Sequence, residues 1–428
     1  MPSLNRIMYV YAFCFYGSIF SITPLNIVRP YDETFLFLPL QDSRGECNIL
    51  YEKSLNVWAV QDRFMDPVIR FFPDKVNPLQ IYQREQDSLG ALKDFSTKNS
   101  IGQLAQAFTI DDDNDQRGHF LPYGKLSFQN AIFTGRYTTH HVSFTASLPL
   151  CQVELSHVCW KDLTKHITAE DSLAHDLLSD NLSENMEELA CLTINNYKRT
   201  GLSDLYLGMT YNQTFYRSKG MLDSVGLQIQ GGITLPTGKK RDPYQVLAFE
   251  FGNNGTVGTV FGGELDLAFA HYLRVGANAQ FLYLFGNNSL ARVKTDLAQT
   301  DLLLLQLAPV YTKWGFTQKF YLFAELYRFY QGLSFQAAYQ YIRHDHDKIF
   351  ACSNTIYPPL ANSSFNLFEW TINTLVLKLR YEPDETLHEH CRSPRNWLPR
   401  AEIFFKKGFN GRNSFLSNSI GGHISISF

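Results

Sequence analysis

Two short runs gather residue types that bind metals or move protons: His344-Asp345-His346-Asp347 and His388-Glu389-His390-Cys391. Side chains alternate along an extended segment, so His344 and His346 share a face and their imidazoles could meet one Zn²⁺ or Cu²⁺. Both runs end strand patterns or lie in loops, where solvated polar residues are ordinarily found, and no metal site is assigned. Asp111-Asp112-Asp113-Asn114-Asp115 sets acidic oxygens at alternate positions but lacks the glycine and distal glutamate of an EF-hand, so it reads as a solvated loop. Ser, His and Asp are scattered at no spacing that pairs a nucleophile with a base. No enzymatic activity and no cofactor are expected.

A second set of charges has a clearer context. Glu264, Asp266, Arg274, Lys319, Glu325, Lys378 and Arg380 stand at the polar positions of alternating segments. Charges of both signs held in a confined polar interior set up a field that filters small solutes. That chemistry requires strands with an apolar and a polar face. Ser224 to Leu235 obeys at every position: Val225, Leu227, Ile229, Gly231, Ile233 and Leu235 oppose Ser224, Gly226, Gln228, Gln230, Gly232 and Thr234. Phe261, Leu265 and Leu267 oppose Glu264 and Asp266, and Leu273, Val275, Phe281 and Tyr283 oppose Arg274, Asn278 and Gln280. The two segments read as a hairpin turning at His271 and Tyr272, with Arg274 beside Glu264 or Asp266 on the face away from lipid. A strand in a bilayer alternates lipid-facing and lumen-facing residues over about 9 to 11 positions. Tyr211, Phe215, Tyr272, Tyr327, Phe329, Trp370 and Tyr381 fall near strand ends, where an interfacial aromatic girdle is expected.

Composition agrees. Charged residues are 18% of the 428-residue chain, below the usual quarter, while aromatics reach 14% with 34 Phe and 23 Tyr. With 38 basic against 41 acidic residues the formal charge is -3, too little basic surface for a nucleic-acid partner. Ile7 to Ile22 is uncharged, follows one basic residue and is short for a spanning helix, so residues 1–23 read as a signal peptide. Beyond Cys14, six cysteines remain: Cys47, Cys151, Cys159, Cys191, Cys352 and Cys391. They permit up to three disulfides after export, or sit as small buried apolar groups.

Strands are predicted near 48 to 60, 121 to 135, 140 to 159, 203 to 217, 223 to 235, 257 to 270, 272 to 286, 299 to 311, 316 to 330, 332 to 346, 366 to 381, 400 to 407 and 419 to 428. One is surplus, because single-chain barrels of this kind have even strand numbers. A final strand ending in the periplasm puts the tight turn at Tyr330 to Gly332 there, yet counting back makes the turn at His271 and Tyr272 extracellular. The error is placed between residues 286 and 316, where Leu302 to Leu307 does not alternate, leaving 12 strands with 14 as the alternative.

The last segment alternates Ile424, Ile426 and Phe428 against Ser425 and Ser427 and stops on an aromatic residue. With this terminus, the export signal and the alternation, the sequence resembles bacterial outer-membrane β-barrel proteins of porin-like type over roughly residues 120 to 428. Gly201-Leu202-Ser203-Asp204 and Leu235-Pro236-Thr237-Gly238 look like strand-entry and strand-exit punctuation of such families. The resemblance implies an outer-membrane location, contact with outer-membrane lipid and a terminal Phe428 read by the barrel assembly machinery.

The expected architecture is all-β: residues 24–428 form one antiparallel transmembrane β-barrel with loop insertions at 61–118 and 161–200. In the second insertion, Leu173, Leu177, Leu178 and Leu182, then Met186, Leu189 and Ala190, lie at helical spacing and predict one or two amphipathic helices that plug the lumen, cap the barrel or lie on a loop. The expected function is a pore or transporter for small solutes. The alternative is a barrel filled by side chains that serves as a surface-binding or structural protein.

Overall fold

The structure is a computed structural model that describes residues 44–61, 75–94, 118–165, 172–176, 181–216, 220–270, 272–352, 356–382 and 398–427. The expected signal peptide, Asp111 to Asp115, His388 to Cys391 and Phe428 lie outside the described residues.

Twelve strands form the wall. They are β1 (Arg44–Val60), β2 (His119–Thr139), β3 (Val142–Asp162), β4 (Leu205–Tyr216), β5 (Leu222–Leu235), β6 (Gly258–Phe269), β7 (Leu273–Leu284), β8 (Thr317–Tyr330), β9 (Leu333–His344), β10 (Trp370–Tyr381), β11 (Leu398–Arg412) and β12 (Ser414–Ser427). Each pairs antiparallel with the next, and β12 returns to β1 from Glu46↔Ser427 to Val60↔Ser414. Closure satisfies the backbone hydrogen bonds that hydrocarbon cannot.

The alternation has the expected physical meaning. Leu227, Ile229 and Ile233 are 40%, 56% and 42% exposed on the outer surface, whereas Gln228 and Gln230 between them are buried. Lumenal rings settle over glycines of neighbouring strands: a Cβ added at Gly276 would lie 2.5 Å from the Phe323 ring. Outward positions on β3 pass from Phe144 and Leu150 to the polar Gln152 and Glu154, so the upper parts of the long β2 and β3 project above the apolar belt.

The surplus strand is resolved. Leu302 to Leu305 are buried among loops, and Leu307–Lys313 pairs with Asn287–Arg292 and Lys348–Ala351 in a three-stranded sheet separate from the wall. With that segment removed, the turns at 140–141, 217–221, 270–272 and 331–332 all fall at one end. At the last of these, Gly332 (φ +83) takes a left-handed conformation and its carbonyl accepts the Glu382 N–H at 2.9 Å. The long connections 61–118, 163–204, 236–257, 285–316 and 345–369 gather at the other end. The predicted boundary at 161 shifts slightly, since β3 runs to Asp162, and Tyr197–Leu202 is a short strand against Leu150 to Leu155. A helix spans Leu182–Ala190.

Two girdle assignments are corrected. Trp370 is fully buried and stacks on His344 with centroids 5.4 Å apart. Tyr327 lies between Arg274 and Arg328, whose guanidinium carbons are 5.1 and 5.4 Å from its ring. Phe215, Tyr216, Tyr272, Phe329, Tyr330 and Tyr381 are exposed at the short-turn end, as a girdle requires.

Candidate functional site

The inward faces of β6 to β11 bring together most of the charges that the sequence singles out. Arg380 reaches Glu325 on β8 through Nη1 at 3.2 Å and Glu402 on β11 through Nε at 3.1 Å. Arg274 contacts Asp266 at 2.6 Å and Glu325 at 3.7 Å. Lys378 lies 3.6 Å from Glu402, and Asn278 donates to Glu264 at 3.1 Å. Lys319 is buried on β8 one turn of alternation above Tyr321. The planar fork of arginine lets one side chain answer two carboxylates on different strands through separate nitrogens held at fixed spacing.

Sequence reasoning missed the rest of the network. Lys406 on β11 lies 3.0 Å from Glu52 on β1. Nearer the short-turn end, Arg328 pairs with Glu382 at 3.5 Å, Arg400 sits 3.7 Å from Glu382 and 3.8 Å from Glu46, and Arg136 lies 3.7 Å from Glu46. These pairs join adjacent or next-but-one strands, so they line the wall and do not span the bore. Alternation of Ala401, Ile403 and Phe405 against Glu402, Phe404 and Lys406 was available as a signal. On β1 it was masked by the exposed Lys53 and the buried Leu50, each on the face its type disfavours.

Above the charged lining lies an apolar collar, in which Tyr206, Val260, Leu282, Leu284, Ile342 and Trp370 face inward and pack together. Higher still the mouth is stoppered. Loop residues including Leu79, Leu92, Met186, Phe249 and Leu303 pack on the inward Phe128, Val153 and Leu155 of β2 and β3. The Leu182–Ala190 helix contributes Leu182 and Met186 to this cluster, so it belongs to the stopper. A polar clasp joins two of the loops: Thr300 Oγ1 accepts from Asp87 N at 3.1 Å, Gln86 Oε1 from Leu302 N at 3.2 Å, Gln83 Oε1 from Asp301 N at 3.2 Å and Asp94 Oδ2 from Gln306 N at 2.9 Å.

A chamber of about 360 Å³ adjoins the stopper among the loops at residues 240–254, 289–292, 301–304 and 347–367. His344, whose partner Asp347 lines the chamber, is a structural residue: Nδ1 lies 2.8 Å from Thr317 Oγ1 and Nε2 3.0 Å from Asp347 Oδ1, which also accepts the Gly315 N–H at 2.6 Å. His346 instead contacts Phe368, with ring centroids 5.2 Å apart, so the two imidazoles make different contacts. Among the described residues no group of three metal-ligating side chains occurs. Among the described residues, Cys151, Cys159, Cys191 and Cys352 form no disulfide.

The two punctuation motifs meet at the rim. Asp204 accepts the Gly238 N–H at 2.9 Å and the Asn253 N–H, while Thr237 Oγ1 accepts from Leu205 N at 2.9 Å and donates to the Ser203 carbonyl at 3.0 Å. This latch holds residues 236–257 and hence Phe249 in the stopper. Burial pushes the Asp204 carboxyl up to about 7, against the two N–H donors that pull it down, and nearby Glu250 adds to the rise. A carboxyl raised from its ordinary 3.8 contributes fully below pH 3.8 and loses that contribution as pH climbs through its folded value. Corrected for intrinsic rates, hydrogen exchange at the Gly238 and Asn253 amides is expected to accelerate from about pH 5 to about pH 8. Asp204→Asn should flatten that dependence, and exchange that slows with pH in the native protein would refute the sign.

A closed, even-numbered antiparallel wall with an apolar exterior decides the architecture. The chain is a closed twelve-stranded β-barrel of transmembrane type. No family model and no curated protein matches it. Among solved structures, the barrel is similar to an outer-membrane channel of Pseudomonas putida F1 over 94% of this chain and 100% of that one, at 9% identity and a TM-score of 0.47. The Pseudomonas putida toluene transporter TodX is similar over 96% of this chain and 98% of its own, at 10% identity and a TM-score of 0.29. A monoaromatic hydrocarbon channel is similar over 91% and 88%, at 9% identity and a TM-score of 0.28. The barrel assignment rests on the strand topology and the two surfaces of the wall.

Proposed function

We propose that the barrel is a gated pathway for small solutes across the outer membrane, closed in the conformation described. One observation carries this reading: at the long-loop end, loop residues such as Leu79, Phe249 and Leu303 pack into the lumen against the inward side chains of β2 and β3. Loops tethered at the rim can swing aside while the twelve-stranded wall stays closed, giving up only short pairings such as Gln86↔Phe120 and Asp87↔His119, and they draw on the less stable parts of a fold. Beneath them the apolar collar excludes ions while it is dry, and the charged lining then discriminates among those that pass. Glu264, Asp266, Arg274, Lys319, Glu325, Lys378 and Arg380 are proposed as the filter residues.

One observation favours the filled, structural barrel as the second reading: Glu325 and Lys378 are only 1% and 2% exposed, so little water touches the lining. Osmotic swelling of proteoliposomes separates the two. Sugars should enter vesicles that carry the barrel at rates that fall with sugar size, and much faster once residues 299–305 are replaced by a Gly-Ser linker. Impermeable vesicles in both cases, with the barrel folded, would remove the transport reading in favour of the filled one.

A further inference from the structure

The chamber beside the stopper has a chemistry that the ion-pair lining does not use. Its wall holds two buried acceptors that meet no donor among the described residues, Asp301 Oδ2 and Asn366 Oδ1. Asp301 is 6% exposed, and its other oxygen is taken by the Ser364 hydroxyl and by the Phe365 N–H at 3.0 Å. A buried acceptor left unmet is destabilising, and more so when it carries charge. A donor supplied from outside would recover that cost.

The same wall holds cations of two kinds. Arg292 spends its guanidinium on the carbonyls of Pro243, Leu304, Leu305 and Ala190. Lys240 and Arg241 also line the chamber and form no ion pair among the described residues. Leu290, Leu302 and Trp314 supply apolar surface between them. A simple amine would meet Asp301 but be repelled by the cations; a simple acid would meet the cations and leave Asp301 unanswered. Only a molecule with both groups satisfies the lining, and about 360 Å³ accommodates an amino acid or a short peptide.

We propose that the chamber binds a small zwitterion, an amino acid or short peptide, whose ammonium is received by Asp301 and Asn366 and whose carboxylate is received by Arg241 and Lys240. The inference deepens the transport reading by naming the solute class at its entrance, and it rests on that reading for the chamber's purpose. Occupancy can be measured on a barrel that never conducts.

Isothermal titration of the folded, detergent-solubilised full chain with three probes of matched skeleton makes the test: L-leucine, 3-methylbutylamine and 4-methylpentanoate. Leucine is expected to bind at least about tenfold more tightly than either singly charged probe. Asp301→Asn should lose that preference for leucine over the acid, and Arg241→Gln should lose it over the amine. Heat-modifiable mobility confirms that each variant is folded, and Arg241→Gln stands as an independent arm should Asp301→Asn fail to assemble. Equal binding of the three probes, binding of none, or an unchanged preference in the folded variants overturns the proposal. Leucine binding by vesicle-impermeable protein would remove the transport reading alone; swelling without leucine binding would remove this inference alone.

Discussion

Leu303→Ala is expected to raise the ratio of conducting to closed time by about 30-fold to about 4,000-fold in planar bilayers. Leu303 is fully buried in the cluster that joins the loops to the inward faces of β2 and β3. Truncating a buried leucine costs roughly 2–5 kcal/mol, the transfer of the side chain plus the cavity it leaves. Every 1.4 kcal/mol is a factor of about ten in an equilibrium. If the stopper undocks as a unit, that cost falls on the closed state and is largely absent from the open one. Leu227→Ala, which trims a side chain on the lipid face, serves as the control and should leave open time unchanged. Unaltered open time in a folded Leu303→Ala barrel would show that the stopper does not gate.

The second large effect concerns stability. Arg380→Ala removes the hub that answers both Glu325 and Glu402 in the lumen. Breaking a buried pair leaves a charge out of water without its partner and costs about 3–5 kcal/mol, several times the 0–1 kcal/mol of a solvated surface pair. Urea unfolding in lipid vesicles reads this difference directly. Arg380→Lys should recover only part of the loss, because the donors of an ammonium radiate from one nitrogen and lack the planar spacing by which Nη1 and Nε reach separate carboxylates. A loss below about 1 kcal/mol would mean that water already screens these groups, and hence that the lining is wet.

Strands with one face in lipid and one in a polar interior were readable because two solvents impose two residue types; β5, β6 and β7 follow this rule closely. The failures have separate causes. Leu302 to Leu305 are buried on all sides among loops, and a short continuous apolar run has no period that separates a buried strand from a buried loop. Trp370 and Tyr327 were assigned to the girdle by residue type, although position parity pointed inward: Trp370 shares parity with Lys378 and Arg380, and Tyr327 with Glu325. The seven lumenal charges were visible because alternation flanked them. Glu402 stood in an equally regular alternation and was passed over, whereas Glu52 was hidden by the irregular β1 and its pairing with Lys406 across an intervening strand, which leaves no trace in local spacing. The chamber was the least legible feature, being assembled from four loops distant in sequence whose polar groups acquire meaning only once packed.

The seam between β1 and β12 gives closure an electrostatic incentive. Glu52 arrives on the first strand and meets the ammonium of Lys406 and the hydroxyl of Ser419, two groups contributed by the far end of the chain. A sheet still ajar would strand that carboxylate from its counter-charge while both edges lie bare to hydrocarbon. Half-zipped intermediates are thereby penalised twice, and the cylinder should seal in a single cooperative step once its two ends find one another.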